Sequence, residues 1–435
     1  MKNDNHNNLI QRLYGDKNTN VRNVTLQITD DCCCKCSYCY QINKGHKYMS
    51  KETAKKIIDL LFDMWYKNDN DFINQNTKGI ILEFIGGEPL MNIDIIDFVC
   101  TYFMNRCIKE NHPWLLTWRA SMISNGAFYF DEKVQNFLDK FRGYIDFAVT
   151  IDGPQEIHDS CRKYHNGKGN FQDAFSAAMD YKKRYNSYIG TKVTICKENI
   201  KNLNKIINFF IENDYSYIYA NPVFEEKWDK ENALIYYNQL KEMADFLLES
   251  NKDIFISLFD ENMFVPMPEN DNENWCGGTG KMISFDSNGL AYPCIRYMES
   301  SLGDKRKPII VGDYNGLYNT KETIIFKNEL NSITRRSQSD DECFYCPIAK
   351  GCAWCSAQNY EQFGTINKRS KNICLMHKAR CLANFYYWNK YYKKNNLDKV
   401  FYLNLPKEKC LEIIDEKEYY NLLSLIKEVN NGDKL

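Results

Sequence analysis

The stretch Asp31-Cys32-Cys33-Cys34-Lys35-Cys36-Ser37-Tyr38-Cys39-Tyr40 places five cysteines within eight residues. It directly follows Val24-Thr25-Leu26-Gln27-Ile28, whose alternation reads as a buried strand. Only one triple in the stretch has a four-residue step followed by a three-residue step: Cys32, Cys36 and Cys39, with Tyr38 just before the last. Three thiolates on one short loop can cap three irons of a cubane cluster and leave the fourth iron without a protein ligand. A structural zinc site wants four ligands, and the nearest histidine, His46, is followed by no other until His112. Buried cysteines are common, but packing alone gives no reason for a cluster spacing on a loop that carries Lys35.

Downstream of the loop, strand-like and helix-like periods alternate. Ser50 can cap a helix from Lys51 to Tyr66, whose stripe is Ile57, Ile58, Leu61, Phe62 and Trp65. Strand two reads as Gly79 to Ile85, helix two as Ile93 to Lys109, and strand three as Leu115 to Ser124, with Asp131 capping a third helix. Strand four is Tyr144 to Ile151, followed by a helix from Phe171 to Tyr185; strand five is Thr191 to Cys196, followed by a helix from Leu203 to Ile211. Tyr215 to Ala220 is strand six. Six strands alternating with helices predict an α/β fold with a parallel sheet and right-handed crossovers, and a partial (β/α)6 barrel satisfies that pattern.

Such folds collect functional groups at the C-terminal ends of their strands. After strand two stands Gly86-Gly87-Glu88-Pro89: the glycines let backbone approach a neighbour closely, and Glu88 can accept from an ammonium group. Ser124 and Asn125 after strand three can hydrogen-bond a ribose or carboxylate, although Asn-Gly is also a routine turn. Thr150-Ile151-Asp152-Gly153-Pro154 follows strand four, with His158, Arg162 and Gly169 beyond it. Arg162 has the fork to pair with a carboxylate.

Cys32-x3-Cys36-x-Tyr38-Cys39 after a first strand resembles the radical S-adenosylmethionine (radical SAM) signature. That resemblance implies a 4Fe-4S cluster whose open iron is chelated by S-adenosylmethionine, and a reductive cleavage releasing a 5′-deoxyadenosyl radical. It further implies that Tyr38, Gly86, Gly87, Glu88, Ser124, Asn125, Asp152 and Arg162 lie around S-adenosylmethionine, with the GGEP segment holding its amino group.

The chain has 435 residues and a net charge of -1 with both signs mixed, so nothing points to nucleic acid or an anionic membrane surface. No apolar run has the length of a membrane span, and Met1 to Asn20 lacks an apolar signal core. A cytoplasmic protein without a membrane partner is expected. Its 18 cysteines suit metal or catalysis better than disulfides in a chain of this length.

A helix from Glu231 to Leu248, an apolar stretch from Ile254 to Phe259 and an acidic, exposed connector from Asp260 to Asn274 lead to a second cysteine-rich region. There Cys276 precedes Gly289-x4-Cys294, and Cys343-x2-Cys346-x5-Cys352-x2-Cys355 precedes Cys374 and Cys381. Two Cys-x2-Cys pairs alone would read as zinc. With the first loop they resemble the SPASM domain, the auxiliary-cluster extension of peptide- and protein-modifying radical SAM enzymes. By resemblance Cys276, Cys294 and Cys355 hold auxiliary cluster I, and Cys343, Cys346, Cys352 and Cys374 hold auxiliary cluster II, making three 4Fe-4S clusters. The family pattern has three residues before the last cysteine of the run, where this chain has two, Ala353 and Trp354.

The expected division is a polar tail over 1–21, a radical SAM barrel over 22–225, a bridge and connector over 226–275, a SPASM domain over 276–384 and a helical C-terminal segment over 385–435. Cys100 and Cys107, seven apart on one helix, read as core. Cys33 and Cys34 read as packing beside the cluster ligands. The wording around Cys294 and Cys355 resembles maturases of cysteine-repeat ribosomal peptides, which join a cysteine sulfur to carbon. Sulfatase-maturing relatives use an acidic base directly after the second cysteine of the domain, where this chain has Ile295 and Arg296. About twenty residues precede strand one, which leaves no room for a winged-helix leader-binding module. The implied partners are a cysteine-containing precursor peptide and an electron donor such as flavodoxin or ferredoxin. The competing readings are another SPASM modification, either carbon–carbon crosslinking or oxidation of an alcohol or thiol, and, outside enzymes, a zinc-stabilised binding protein. Fully ligated members of the family take a fourth ligand to cluster I from a cysteine just upstream of the domain's first, and from Lys197 to Trp275 there is none, so the resemblance implies three protein ligands and an iron open to a substrate thiolate. The alternative is that Cys381, Cys196 or a non-cysteine side chain closes the site.

Overall fold

The computed structural model describes residues 20–187, 190–250, 254–271, 278 and 280–430. Cys276 and all but the last residues of the N-terminal tail lie outside them. Two compact units emerge: one of residues Met1–Cys33, Cys39–Ala148 and Cys276–Ile333, the other of Cys34–Tyr38, Val149–Trp275 and Thr334–Leu435.

In the first unit β1 (Val21–Thr29) pairs in parallel with β2 (Gly79–Gly86), and β2 pairs in parallel with β3 (Arg119–Ser124). β4 (Ile145–Val149) follows β3 in the sheet order. Val24, Leu26 and Ile28 are fully buried on β1. Thr25 on the opposite face is buried as well and donates from Oγ1 to Glu83 Oε2 at 2.5 Å. The helix Lys51–Lys67 starts as expected, with Ser50 Oγ accepting from Thr53 N at 3.0 Å, and it buries Ile57, Ile58, Leu61 and Phe62. Strand three begins later than expected. Pro113 opens a short 3-10 turn, Pro113–Leu116, which His112 caps through Trp114 N, so Leu115 belongs to the turn. Asp131 stands at the N-cap of the helix Glu132–Lys140 without a side-chain capping bond. Cys100 and Cys107 are both fully buried on the helix Ile93–Lys109, in keeping with a core role.

The unforeseen feature is what covers the other side of β1. β8 (Met282–Phe285) pairs with it in parallel, and β9 (Leu290–Tyr292), β10 (Gly312–Asp313) and β11 (Gly316–Leu317) continue antiparallel. The sheet order is β11-β10-β9-β8-β1-β2-β3-β4. A bare edge on β1 would be a row of unpaired amides and carbonyls, and residues far along the chain fill it. The stretch expected as one domain over 276–384 is accordingly divided, its first part completing the first unit.

In the second unit β5 (Gly190–Ile195), β6 (Tyr217–Pro222) and β7 (Phe255–Ile256) form a parallel three-stranded sheet. All six expected strands therefore exist, four in one sheet and two in another. The helix Cys374–Lys394 packs on the helix Lys230–Ser250. The supposed connector after Asp260 is anchored rather than loose over its described part. Phe264 is fully buried against the His377 ring, and the buried Arg335 guanidinium donates to the carbonyls of Met267, Pro268, Asp271 and Phe344. Composition hid this, because a single aromatic and backbone carbonyls do the anchoring. The helix Glu416–Asn430 matches the helical period read at the C-terminus, and Glu418 accepts from Tyr237 and Lys241. Among the described residues no helix is long and apolar enough to cross a membrane.

Candidate functional site

The cysteine loop leaves the end of β1, and its residues are held differently along its length. In the first unit the segment after β2 packs directly on the loop's start. Gly87 N donates to Thr29 O at 3.0 Å and Glu88 N to Asp31 O at 2.8 Å. A Cβ on Gly87 would meet Asp31 O at 2.1 Å, and one on Gly86 would meet Thr29 O at 2.7 Å. The two glycines are thus required by the approach of two backbones, whatever else they serve.

Glu88 is 1% exposed and turned inward. Its Oε1 accepts from Leu90 N at 3.1 Å and Ser124 Oγ at 2.7 Å, and its Oε2 accepts from Asn125 N at 2.8 Å. One carboxylate therefore ties the end of β2 to the end of β3. Asn125 in turn donates from Nδ2 toward Cys33 Sγ at 3.3 Å and Cys32 Sγ at 4.0 Å. Five of the expected residues, Cys32, Gly87, Glu88, Ser124 and Asn125, form one connected group.

Within the second unit, residues Cys34 to Tyr38 run along the segment 161–164. Lys35 N donates to Lys163 O at 2.7 Å, Ser37 N to Cys161 O at 2.9 Å, and Cys34 forms a bridge with Tyr164. Tyr38 then joins a buried charge group. Its hydroxyl donates to Asp152 Oδ2 and accepts from Arg162 Nη1 at 2.9 Å. Burial pushes the Tyr38 phenol up, so it stays protonated as the donor to Asp152. Burial works against the Arg162 charge, yet Tyr38, Asp152 and Cys36 outweigh it and raise its pKa. Asp152 N donates to His158 Nδ1 at 3.2 Å, which places the ring proton on Nε2 for Asn170 Oδ1 at 2.9 Å. Burial lowers the His158 pKa and keeps that ring neutral.

Two buried atoms of this group, Asp152 Oδ1 and Arg162 Nε, have no hydrogen-bond partner among the described residues. Buried polar atoms are nearly always satisfied, so an acceptor and a donor left over beside a cysteine loop fit a polar, zwitterionic small molecule.

Among the second set of cysteines, Cys346, Cys352 and Cys374 lie within electrostatic reach of one another. Cys346 N donates to Cys343 O at 3.4 Å, closing the Cys343–Cys346 turn. Burial raises all four thiols, Cys343 to about 12. Arg369, Lys371 and Lys378 act in the opposite sense, and Arg369 Nη2 donates to Cys352 Sγ at 3.1 Å. Half-buried thiols beside cations fit an anionic thiolate-ligated centre, whose binding would release the thiol protons. Cys294 is buried in the first unit, Cys355 belongs to the second and accepts from Gln358 N at 3.4 Å, and Cys276 lies outside the described residues. A cavity of about 530 Å³ beside Cys343 is lined by Lys227, Lys368, Arg369 and Lys371, with Trp228 and Phe363.

The family described as "4Fe-4S single cluster domain" matches residues 21–170, the segment that contains the cysteine loop and the groups around it. "Radical SAM cyclopropyl synthase TigE" of Paramaledivibacter caminithermalis is 20% identical over 384 residues, covering 83% of this chain and 72% of that protein. The chain is thus similar to radical SAM enzymes. "Uncharacterized protein MJ0907" of Methanocaldococcus jannaschii is 29% identical over 191 residues, which span 44% of this chain and only 59% of that protein. The fold is matched by the solved structure "Native anSMEcpe with bound AdoMet and Cp18Cys peptide", with a TM-score of 0.60 and 19% identity over 86% of this chain and 99% of that one. The mixed α/β architecture is common to this chain and that structure.

Sequence reading did not find Asn170 or the bond from the Asn125 amide to Glu88. Both act through short hydrogen bonds between segments far apart in sequence, which no spacing encodes. His158 was noticed only as part of a motif, and its neutral, structural role emerges from the Asp152 amide that it accepts.

Proposed function

We propose that the chain is a radical SAM peptide maturase that forms a sulfur-to-carbon thioether in a cysteine-containing peptide. The observation that supports it best is the cysteine loop itself. Cys32, Cys36 and Cys39 sit at the radical SAM spacing, and the same loop is bound to the Glu88–Asn125 group at its start and to Asp152 and Arg162 through Tyr38. When bound there, the cluster would supply one electron for cleavage of S-adenosylmethionine and thereby an adenosyl radical able to take hydrogen from carbon.

The chain's own residues have distinct tasks in this reading. Cys32, Cys36 and Cys39 hold three irons. Tyr38, fixed between Asp152 and Arg162, holds the loop's conformation, while Asp152 Oδ1 and Arg162 Nε offer an acceptor and a donor to S-adenosylmethionine. Glu88 keeps Gly87, Ser124 and Asn125 in place around it. Cys276, Cys294 and Cys355 hold auxiliary cluster I, open to a substrate thiolate, and Cys343, Cys346, Cys352 and Cys374 hold cluster II, within a partial (β/α)6 barrel and SPASM arrangement. Flavodoxin or ferredoxin in the cytoplasm would serve as electron donor. Where sulfatase-maturing relatives place an acidic base, directly after the second cysteine, Ile295 stands instead, and the next residue, Arg296, sets its guanidinium 5.8 Å from the Tyr40 ring centre, which favours bond formation at sulfur over alcohol or thiol oxidation.

Glu88→Ala would leave two buried amides and the Ser124 hydroxyl without their acceptor, at about 1–3 kcal/mol for each group left unsatisfied. We expect a lower unfolding midpoint and S-adenosylmethionine affinity reduced by about tenfold or more, at about 1.4 kcal/mol per decade, with iron retained. Calorimetric affinity equal to wild type would remove Glu88 from this role.

The function itself is tested by co-expression with small cysteine-rich peptides encoded beside it, followed by mass spectrometry. A thioether lowers the peptide mass by two hydrogens and blocks alkylation of one cysteine. Colourless protein with stoichiometric zinc in place of iron, or peptides with unchanged mass and fully alkylatable cysteines, would count against it.

A further inference from the structure

Three turns of the second unit bring together donor atoms that the proposed chemistry does not use. Cys196 and Glu198 follow β5, Glu226 follows β6, and Cys161 ends the helix Gln155–Cys161. β5 and β6 pair in parallel with Ile195 opposite Pro222, so their C-terminal ends lie side by side. Strand ends of this kind are where α/β folds gather functional groups. The Cys196 sulfur and a carboxylate oxygen from each of Glu198 and Glu226 lie within 4.8 Å of one another.

The arrangement is held from several directions. Asn199 Oδ1 accepts from Cys196 N at 2.9 Å and its Nδ2 donates to Thr194 O at 2.8 Å, fixing the turn that carries Cys196 and Glu198. Lys197 N, between those two residues, donates to the Glu226 carboxylate at 3.2 and 3.4 Å. Val223 N donates to Ile195 O at 2.9 Å, and Trp228 Nε1 to Val223 O at 2.9 Å, fixing the loop that carries Glu226. A second sulfur stands outside this set but close by: Cys161, 3% exposed, interacts with the fully buried Cys196.

We propose that Cys196, Glu198 and Glu226 bind a zinc ion, with Cys161 as fourth donor. Two carboxylates held this close repel each other, and a divalent cation turns that repulsion into attraction. The donor set selects the metal. Magnesium and calcium require oxygen ligands throughout, whereas zinc accepts thiolate and carboxylate together in four-coordinate sites. Binding releases the thiol protons and leaves no redox change to balance. Cys161 O receives the Ser37 amide at 2.9 Å and Arg162 holds Tyr38, so the zinc would brace the segment on which the cysteine loop lies.

The test uses the full chain, reconstituted anaerobically with iron and sulfide, incubated with zinc and desalted, with both metals counted. We expect about one zinc per chain in addition to iron, and retention at least about tenfold weaker in Glu226→Gln and in Cys196→Ala, with iron unchanged. Cys100→Ser, a buried cysteine elsewhere, should keep its zinc. Glu226→Gln lies on a partly exposed side chain and guards against loss through misfolding. Wild-type chain without zinc, a Cys161–Cys196 disulfide in its place, or zinc unaffected by both substitutions would overturn the proposal. Loss of iron in every sample would instead strike at the cluster assignment.

Discussion

Replacing Cys32, Cys36 and Cys39 together with alanine should abolish reductive cleavage of S-adenosylmethionine, with 5′-deoxyadenosine falling below about one hundredth of the wild-type yield. Fe–S clusters are held by cysteine thiolates, and this is the one loop in the chain that has the three-thiolate spacing. Cys33→Ala and Cys34→Ala should keep the activity for different reasons. Cys34 is fully buried and its backbone bridges Tyr164, while Cys33 is half-buried beside the Asn125 amide. Chromatography of quenched, dithionite-reduced reactions decides the matter. If Cys33→Ala or Cys34→Ala loses the cluster while one of the other three single substitutions retains it, the ligand set is wrong.

Arg162→Leu should be the most destabilising single change near the loop, at about 3–5 kcal/mol, the typical penalty for removing one partner from a buried charge group. Asp152 is fully buried, Arg162 is 8% exposed, and Tyr38 connects them. Without the guanidinium, Asp152 keeps a single hydrogen bond from a phenol. The double replacement Arg162→Leu with Asp152→Leu should recover part of the loss, because no charge is then left unpaired. Urea unfolding of the single and double variants measures both quantities. A loss under about 1 kcal/mol, or strict additivity between the two positions, would mean that water reaches the site and pairs the charge.

What could be read from sequence follows the range of the forces involved. Periodicity reports burial along one element, so β2 and the helices Lys51–Lys67, Ile93–Lys109 and Phe171–Tyr185 were legible within a residue, and β1 within three. Spacing reports ligands on one loop, so Cys32, Cys36 and Cys39 stood out. Pairing between distant segments has no such signature. Met282-Ile283-Ser284-Phe285 is short enough to be anything, and only the open side of β1 makes it a strand. Glu88 read as an acceptor for an ammonium group, and its bonds within the fold could not be read. Its inward orientation depends on Ser124 and the Asn125 amide, 36 and 37 residues away. The convergence of Cys161, Cys196, Glu198 and Glu226 was invisible for the same reason, since two strand ends and a helix end must be side by side before their side chains meet.

The central claim is that the loop carries a cluster with one iron free for S-adenosylmethionine. Electron paramagnetic resonance of the reduced chain tests it directly, in a variant lacking Cys276, Cys294, Cys343, Cys346, Cys352, Cys355 and Cys374 so that only the loop cluster contributes. The account predicts a reduced 4Fe-4S signal whose g-values change when S-adenosylmethionine is added, and no signal at all once Cys32, Cys36 and Cys39 are also replaced. A cluster signal that S-adenosylmethionine leaves unchanged, or one that survives loss of those three cysteines, would contradict it.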